Sequence, residues 1–224
     1  MAWGFLFSSD LPSFSLTHPI EPPSLHRLGQ QPYSPSLDAM VAFTRGRNVK
    51  TRDQIWFLTH PPVLTLGIQG DQTHILNSGD LPVVRTDRGG QVTWHGPGQL
   101  IVYTLIDLQR RQLGIRGFVS LIERTVIDFL AQYGISAVSN AEAPGVYVSG
   151  KKIASVGLKV SKGCCYHGFS LNVDPDLSEF LRINPCGYPN LEITSLRQCS
   201  ILTTTDEIIP GIAASLLKHL GHAT

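Results

Sequence analysis

The segment RINPCGYPN, residues 182–190, carries a cysteine where the chain is expected to turn sharply. Asn184, Pro185 and Gly187 occupy the first, second and fourth positions that these residue types favour in a type I β-turn. The third residue of such a turn is exposed and adopts the bridge region of backbone conformation, where many active-site residues lie. The third residue here is Cys186, so the turn predicts an accessible thiol, although a cysteine is more often a small buried apolar side chain.

A nucleophilic cysteine reacts as the thiolate, and a free thiol with a pKa of about 8.5 is only slightly ionised at neutral pH. A neighbouring base or cation is therefore needed. His95 or His167 would form a Cys–His pair with Cys186, and Lys152 would form a Cys–Lys pair. Spacing alone does not choose among the three. Taken alone, Lys152 opens a predicted strand and is expected to be solvated.

Residues 145–157, GVYVSGKKIASVG, have the glycine and lysine spacing of a phosphate-binding loop. The residue after Lys151 is Lys152 rather than serine or threonine, and a strand follows where that loop requires a helix, so this function is excluded. Gly150 and Lys151 are instead predicted to form the tip of a hairpin. In the strand that follows, alternation places Lys152, Ala154 and Val156 on one face and Ile153, Ser155 and Gly157 on the other.

Residues 88–103, RGGQVTWHGPGQLIVY, crowd glycines and polar side chains around one short apolar strand. Two tight hairpin turns would explain the glycines. The polar side chains, however, share this segment with residues that must be buried, and polar groups beside an apolar wall indicate a binding pocket. These polar residues are Arg88, Gln91, Thr93, His95 and Gln99.

Short apolar runs bounded by proline and glycine predict strands, and helical periodicity predicts helices. The predicted strands are 54–59, 63–66, 81–85, 92–95, 100–105, 136–138, 146–149, 153–160 and 169–173. The predicted helices are 37–45, 117–134 with Gly134 as its C-terminal cap, and a stretch within 206–220 that contains Pro210. Because the strands cluster around a long helix rather than alternating strictly with helices, we expect an α+β domain with a mixed sheet.

The composition excludes several classes of function. The chain is 42% hydrophobic, which is ample for a core, and its net charge of +1 provides no basic stripe for nucleic acid. The four cysteines, Cys164, Cys165, Cys186 and Cys199, contain no CxxC pair, and adjacent cysteines on a strand point to opposite faces. We therefore expect neither a disulfide framework nor a metal site, and we assign the chain to a reducing cytoplasm.

The N-terminal segment is apolar but lacks the features of a secretory signal. It has no lysine or arginine before Arg27, and its apolar run stops at residues 8–10. No later stretch is long and apolar enough to span a membrane. We interpret residues 1–22 as a poorly ordered extension and residues 23–224 as one catalytic domain.

Three long segments resemble, in order and spacing, the signature segments of the lipoyl(octanoyl)transferases. They are residues 88–103, residues 143–173 (APGVYVSGKKIASVGLKVSKGCCYHGFSLNV) and residues 180–192 (FLRINPCGYPNLE). The resemblance runs from about Arg27 to the C-terminus. Members of this family move an octanoyl group from acyl carrier protein to a lipoyl domain.

The resemblance implies that Cys186 is the acyl-thioester nucleophile and that Lys152 is its acid/base partner. It implies an acyl-binding site formed by Arg88, Gly89, Gly90, Gln91, Val92, Thr93, Trp94, His95, Ser155, Val156, Gly157, His167, Gly168, Phe169 and Ser170. The implied fold is that of the biotin and lipoate protein ligase catalytic domain, a mixed sheet flanked by helices. No metal or cofactor is implied, and Cys165 and Cys199 are interpreted as bystanders.

The reaction implied is the first step of lipoate biosynthesis, in which an acyl-enzyme transfers octanoate to a lysine. The implied partners are octanoyl-acyl carrier protein, the lipoyl domains of 2-oxoacid dehydrogenase complexes and the glycine cleavage H protein. Apart from the resemblance, we expect a monomer. Arg110, Arg111 and Arg116, with Lys159 and Lys162 elsewhere, could form a basic patch that steers the acidic carrier, or could belong to ordinary solvated loops.

Two alternatives remain open from the sequence. An ATP-dependent lipoate or octanoate ligase on the same fold would contact an acyl-adenylate through the equivalent lysine and would need no cysteine. A catalytically silent acyl-binding or scaffold protein would bind octanoyl groups without turnover. The combination of the NPCGY turn with Lys152 favours the transferase over both.

Overall fold

The computed structural model describes residues 20–222, and elements are labelled here in chain order. The strands are β1 (Ser24–Gln30), β2 (Gln54–Thr59), β3 (Val63–Leu66), β4 (Val83–Arg85), β5 (Val92–His95), β6 (Gln99–Asp107), β7 (Val138–Ser139), β8 (Gly145–Val148), β9 (Lys151–Ser161) and β10 (Cys164–Asn172). The α-helices are α1 (Tyr33–Gly46), α2 (Ile115–Ala131) and α3 (Thr205–His219). Most of the interpreted N-terminal extension, residues 1–19, lies outside the described residues.

The strands form two sheets. The larger sheet has the order β1-β2-β6-β10-β9-β8-β7, in which β1 runs parallel to β2 and the other neighbours are antiparallel. A smaller sheet has the order β4-β3-β5. Helices flank the mixed sheet, so the predicted α+β architecture is confirmed.

Strand β6 shows why helices cover both faces of the larger sheet. Its Leu100 and Val102 side chains pack into the core that contains α2 and α3. Ile101 and Tyr103 point the other way and pack with Met40 of α1. Since successive side chains of a strand face opposite sides, a strand covered on both faces is apolar almost throughout, as the sequence of β6 is.

The predicted bounds hold best for three short strands. The strands predicted at 54–59, 63–66 and 92–95 match β2, β3 and β5 at both ends. Strand β1 was not predicted, because this edge strand is largely exposed and lacks a clear alternation of apolar residues. Its main-chain pairing with β2 defines it instead.

The helix ends follow their capping residues. Gly134 adopts a left-handed conformation with φ 73°, and Ile135 N donates to Leu130 O over 3.1 Å, which confirms the predicted C-terminal glycine beyond α2. Helix α3 begins after Thr204, whose side chain and Glu207 form a capping box. Pro210 lies within α3.

Candidate active site

Cys186 lies on a tight turn whose conformation differs from the predicted one. The turn is closed by a 2.9 Å hydrogen bond from Gly187 N to Asn184 O. Cys186 has φ 57° and ψ 16°, in the left-handed region, so the predicted type I turn with a bridge-region cysteine is wrong. A non-glycine residue in this region is strained by about 1 kcal/mol or more, and such strain is concentrated at functional sites. The thiol is free and partly exposed.

Lys152 is the hydrogen-bond partner of this thiol. Its Nζ lies 3.0 Å from Cys186 Sγ. The Lys152 residue is only 2% exposed, so the expectation of a solvated lysine, drawn from its position at the start of a strand, is wrong. A buried lysine requires a charged or polar partner, and the thiol provides one.

A β-bulge turns Lys152 toward the thiol. The pairing of β8 with β9 shifts register between Val146, which faces Ala154, and Tyr147, which faces Lys152, so Ile153 is an extra residue. The bulge breaks the predicted alternation. Lys152 consequently lines the same cavity as Ser155 and Gly157, whereas Ala154 packs into the helix-covered core.

The main chain of Lys152 is also tied to the segment that follows the cysteine turn. Lys152 N donates to Glu192 O over 2.8 Å, and Thr194 N donates to Lys152 O over 2.9 Å. The short connection from Cys186 to Glu192 is therefore anchored on the lysine itself. The separation of the Lys152 and Cys186 side chains is therefore fixed by these main-chain hydrogen bonds as well as by the hydrogen bond between the side chains.

The electrostatic surroundings of Lys152 favour the ammonium when Cys186 is a thiolate. Burial acts to lower the pKa of Lys152, but the charge of Cys186 and the hydrogen bond to it raise that pKa above its usual value. Tyr147 contributes in the same direction, and the Lys152 Nζ lies 5.4 Å from the centre of its ring. Lys152 therefore provides the cation that a reacting thiolate at position 186 needs.

The Lys152–Cys186 pair lies in the wall of a cavity of about 620 Å³. The cavity brings together every predicted site residue except one: Lys152, Cys186, Arg88, Gly89, Gly90, Gln91, Val92, Thr93, His95, Ser155, Val156, Gly157, His167, Gly168, Phe169 and Ser170. Three segments that are distant in sequence thus share one pocket. Its volume is in the range of sites for small organic ligands.

Trp94 is the exception, and its placement as a pocket residue is corrected. Its ring packs at 5.4 Å from the ring of Phe180 in the core of the smaller sheet, and the residue is 2% exposed. Alternation along β5 explains this position, because Val92 packs into the same core. A side chain at Gly96 would clash with the Trp94 ring at 2.1 Å, so glycine there makes room for the indole.

Several cavity residues were not predicted from the sequence. They come from α1, the loop after β3, β6, the start of α2, the segment before β8, β9 and the cysteine turn: Tyr33, Gln69, Ile101, Tyr103, Ile115, Val119, Glu142, Ala143, Pro144, Leu158, Gly187 and Tyr188. Four of them, Ile101, Tyr103, Val119 and Leu158, lie in predicted strands or helices, where the same pattern indicates an ordinary core residue. Tyr188 follows the NPCG segment directly, and its position in that motif was the available signal.

The histidines of the cavity are held by other groups. His95 Nδ1 lies 2.7 Å from Gln99 Oε1, and burial lowers the pKa of His95 to about 3. His167 Nε2 lies 2.8 Å from Asp87 Oδ1, and burial also lowers the pKa of His167. Both rings are therefore neutral at neutral pH and bonded away from the thiol. The structure favours Lys152 over either histidine as the partner of Cys186.

Arg88 is a buried cation in the same wall. Its Nη2 atom donates to Thr65 O over 2.7 Å and to Thr65 Oγ1 over 2.8 Å. A Cβ at Gly157 would lie 3.2 Å from Arg88 Cδ, so the glycine leaves space for the guanidinium stem. Arg88 therefore has a fixed position beside the cavity and contributes positive potential near Cys186.

Cys164 and Cys165 are buried thiols. Burial raises the pKa of the Cys165 thiol to about 12, and its Sγ donates to Thr104 O over 3.2 Å. Burial also raises the pKa of Cys164. Within residues 20–222 no cluster of three or more histidine, cysteine or acidic side chains has the arrangement of a metal site. No helix in that range is long and apolar enough to cross a membrane.

Two arginines of the suggested basic patch are held by a buried acid. Arg110 and Arg111 both bind Asp53, at 2.6 Å and 2.9 Å, and Arg111 is 4% exposed in its side chain. Arg47 binds the same carboxylate. For Arg110 and Arg111 these contacts favour the structural alternative over a docking role.

The sequence and the fold match a known catalytic domain. Residues 32–217 match the lipoyl protein ligase A/B catalytic domain. An octanoyltransferase of Methylococcus capsulatus is 53% identical over 194 residues, which cover 87% of this chain and 94% of the relative. An octanoyltransferase of Klebsiella pneumoniae is 50% identical over 198 residues, which cover 88% of this chain and 92% of the relative. The chain belongs to the octanoyltransferases, a family of acyltransferases.

Solved structures with the same fold are more distant in sequence. A bipartite lipoate protein ligase of Thermoplasma acidophilum, described with its E2 lipoyl domain, has a TM-score of 0.73 and 16% identity, covering 90% of this chain and 84% of that chain. A biotin protein ligase of Aquifex aeolicus has a TM-score of 0.51 and 14% identity, covering 88% and 69%. This likeness concerns the fold alone and confirms the predicted ligase-type architecture.

Proposed function

We propose that this chain transfers an octanoyl group from acyl carrier protein to a lysine of a lipoyl domain, through a thioester on Cys186 with Lys152 as acid and base. The observation that carries the proposal is the 3.0 Å contact between Lys152 Nζ and Cys186 Sγ in the wall of the cavity. Family membership supports octanoyl transfer, and it favours the transferase over an ATP-dependent ligase because the ligases share only the fold.

In the first half-reaction the Cys186 thiolate attacks the octanoyl thioester carried on the phosphopantetheine arm. A bond forms between Sγ and the carbonyl carbon, and the bond from that carbon to the carrier sulfur breaks. Lys152 gives its proton to the departing thiolate. The products are a neutral acyl-enzyme, a neutral Lys152 amine and the free carrier thiol. One thioester replaces another, so the step is nearly neutral in free energy.

In the second half-reaction the neutral amine of the acceptor lysine attacks the acyl-enzyme. The C–N bond forms, the C–S bond breaks, and Lys152 takes a proton from the attacking nitrogen. Burial supports this role, since it acts to lower the pKa of Lys152 once the thiolate charge is gone. Cys186 leaves as the thiolate and the ammonium–thiolate pair is restored. Conversion of a thioester to an amide is downhill, so the scheme uses neither ATP nor another cofactor.

The cavity offers an apolar slot for the acyl chain. Its apolar lining includes Ile101, Val119, Val156, Leu158 and Phe169. Each methylene removed from water contributes roughly 0.8 kcal/mol, so a chain of this length gains enough from burial to be held during the reaction. Glycine residues in the lining let the slot run close to the backbone.

The wider assignment follows from the same proposal. The catalytic domain is residues 23–224, and it acts as a monomer in the cytoplasm, where thiols stay reduced. The acyl donor is octanoyl-acyl carrier protein, and the acceptors are lipoyl domains of 2-oxoacid dehydrogenase complexes and the glycine cleavage H protein. A lipoate protein ligase of the same fold is described with its E2 lipoyl domain, which supports the acceptor class.

Intact-protein mass spectrometry tests the proposal. The purified chain is mixed with octanoyl-acyl carrier protein, without ATP and without acceptor, beside Cys186→Ser and Lys152→Ala. We expect a single octanoyl adduct on the wild type that hydroxylamine removes and that Cys186→Ser lacks. Transfer that requires ATP and free octanoate would instead identify a ligase, and bound octanoyl without a covalent adduct or turnover would identify a silent binder.

A further inference from the structure

Glu123 is a buried acid on α2 that contacts the first residue of β8. Its residue is 7% exposed, and its Oε1 accepts a 2.9 Å hydrogen bond from Gly145 N. The neighbouring buried residues of the helix, Ile122 and Val126, are apolar. Burying a carboxylate among apolar side chains is costly unless it is paired, so its position requires a compensating contact.

Gly145 connects this carboxylate to the catalytic lysine. A Cβ at Gly145 would lie 2.5 Å from Lys152 Cε and 3.3 Å from Lys152 Nζ. Gly145 itself has φ 144°, a conformation that favours glycine. The residue that receives the Glu123 hydrogen bond therefore lies directly against the lysine side chain, and the carboxylate is one residue away from the amine.

Titratable groups from three elements lie around Lys152. Cys186 contacts it from the turn, Tyr147 lies beside it on β8, and Glu123 of α2 reaches it through Gly145. Burial raises the pKa of Glu123, whereas the Gly145 hydrogen bond and the positive charge of Lys152 act to lower it. Glu123 and Lys152 thus lie close enough for each to respond to the charge of the other. Arg88 adds positive potential on the Cys186 side.

We propose that Glu123 is a positioning residue for acyl transfer, which seats Gly145 against Lys152 and supplies a negative charge beside the amine when Cys186 is acylated. The inference rests on the proposed function. In the resting site the thiolate balances the ammonium. In the acyl-enzyme the thioester is neutral and Tyr147 is neutral, so among these three groups only Glu123 keeps a negative charge.

The charge of Glu123 is expected to affect mainly the second half-reaction. As the acceptor amine attacks, its proton moves to Lys152 and the C–S bond to Cys186 breaks. Glu123 stabilises the Lys152 ammonium as it forms, before the departing sulfur carries its full charge. Formation of the acyl-enzyme starts from the intact ammonium–thiolate pair and depends less on Glu123.

Two substitutions separate charge from position. Glu123→Gln keeps an oxygen that accepts from Gly145 N but removes the charge, and Glu123→Ala removes both. Asp128→Asn is the matched control, because Asp128 is a carboxylate on the same helix that binds His219 at 2.9 Å and is more exposed. In single-turnover transfer from isolated octanoyl-enzyme to a lipoyl domain, we expect Glu123→Gln to be about tenfold slower and Asp128→Asn to be unchanged. Equal rates for Glu123→Gln and wild type would overturn the inference.

A titration that needs no substrate distinguishes this inference from the proposed function. In Cys186→Ser the serine cannot supply the thiolate charge, so the ¹³C resonance of Lys152 Cε, assigned by its loss in Lys152→Arg, reports the lysine alone. Adding Glu123→Gln is expected to move the Lys152 midpoint to lower pH. An unmoved midpoint would overturn the inference whatever the wild type does with octanoyl-acyl carrier protein.

The reciprocal titration covers the case in which Glu123→Gln fails to fold. The Glu123 carboxyl resonance is followed in wild type and in Lys152→Ala. Removal of the lysine charge is expected to raise the Glu123 midpoint, and identical midpoints would overturn the inference. A wild type that forms no octanoyl adduct but shows both displaced midpoints would count against the proposed function and would support the Glu123–Lys152 coupling.

Discussion

Lys152 is tied to Cys186 directly and through the chain that follows it. Its amine lies 3.0 Å from the Cys186 thiol, and its main chain pairs with Glu192 and Thr194, just beyond the cysteine turn. A lysine side chain has several rotatable bonds, and ordering it costs conformational entropy. Here the backbone pairing and the bulge at Ile153 fix the point from which the Lys152 side chain extends toward the thiol. Less conformational entropy therefore has to be lost when the amine is ordered for the reaction.

Replacing Lys152 by arginine is expected to separate the charge of this residue from its proton transfer. Arginine stays protonated in proteins, so it can stabilise the Cys186 thiolate but cannot accept the acceptor proton. We expect Lys152→Arg to form octanoyl adduct more readily than Lys152→Ala, while transfer to a lipoyl domain falls at least a hundredfold in both. Rapid-quench mass spectrometry measures the two steps, and wild-type transfer by Lys152→Arg would contradict the general-base role.

Adding a methyl group at Gly145 is expected to disrupt the site and the fold together. The new Cβ would lie 2.4 Å from Ala154 O and 2.5 Å from Lys152 Cε. We expect Gly145→Ala to lose about 3 kcal/mol of unfolding free energy, measured by urea denaturation. Gly134→Ala is the control, since Gly134 also has positive φ but has no atom within 4 Å of its Cβ, and about 1 kcal/mol is expected there. Equal losses would show that the contact with Lys152 is unimportant.

The preference for a particular acyl chain length is expected to depend on the size of the residue at position 157. A Cβ there would lie 3.2 Å from Arg88 Cδ and 3.3 Å from Gly89 O, which narrows the cavity. Each methylene of the acyl chain that no longer fits in the narrowed cavity loses roughly 0.8 kcal/mol of burial free energy, which corresponds to about fourfold in rate. Gly157→Ala should therefore lower the preference for octanoyl over hexanoyl carrier protein, measured by the rates of adduct formation.

The control for this prediction is Gly89→Ala. A Cβ at Gly89 would make only ordinary contact with Leu158 O at 3.5 Å, although Gly89 lines the same cavity. Its octanoyl preference is expected to match that of the wild type. A similar loss of preference in both variants would indicate a general disturbance rather than a narrowed slot.

Buried neutral histidines are expected to make stability depend on pH. Burial lowers the pKa of His95 to about 3, and it lowers those of His60 and His167 as well. The unfolded chain binds protons at these residues below about pH 6.5, while the folded chain does not until lower pH. Stability should therefore fall as pH decreases below about 6.5, by about 1.4 kcal/mol per pH unit for each histidine that is protonated only in the unfolded chain, and for His95 this loss should continue toward pH 3.

His95→Gln should remove one such contribution. Unfolding free energy measured at several pH values is expected to fall less steeply in this variant than in the wild type. Parallel curves for the two proteins would contradict a buried neutral His95.

Arg111→Glu is expected to act on stability rather than on carrier docking. Asp53 is buried against Arg47, Arg110 and Arg111, and despite the cost of burial these contacts hold its pKa below the usual value. Breaking a buried pair of this kind costs about 3–5 kcal/mol. Urea denaturation should show that loss, and it should shrink as pH falls below the usual aspartate pKa. A stable Arg111→Glu variant with a raised KM for octanoyl-acyl carrier protein would restore the docking interpretation.

The sequence predicted well those features that depend on local pattern. Alternating or continuous apolar runs gave β2, β3 and β5 to the residue, and helical periodicity gave α2 with its terminal glycine. Sixteen of the seventeen predicted site residues also line one cavity, because the motifs of the family name them. Fold class and family membership were therefore accessible before any coordinates.

Features that depend on contacts between residues far apart in sequence could not be predicted from the sequence. The burial of Lys152 depends on the bulge in its pairing with β8, which no spacing of residues reveals. The roles of Arg110 and Arg111 depend on Asp53, more than fifty residues earlier. Glu123 left a weak signal, since it lies three residues before Val126 on the buried side of the predicted helix. The partner of that carboxylate, Gly145, lies in another element.

The left-handed backbone at Cys186 has a consequence for how this position can change. With φ 57° and ψ 16°, the site suits glycine better than any residue that carries a side chain. Replacing Cys186 by glycine would relax the local strain, but it would also leave the buried Lys152 amine without the thiol that it contacts. The two effects on stability oppose each other, so the strained turn and the buried amine are tolerated as a pair: the backbone strain at Cys186 is part of the cost of giving Lys152 its partner.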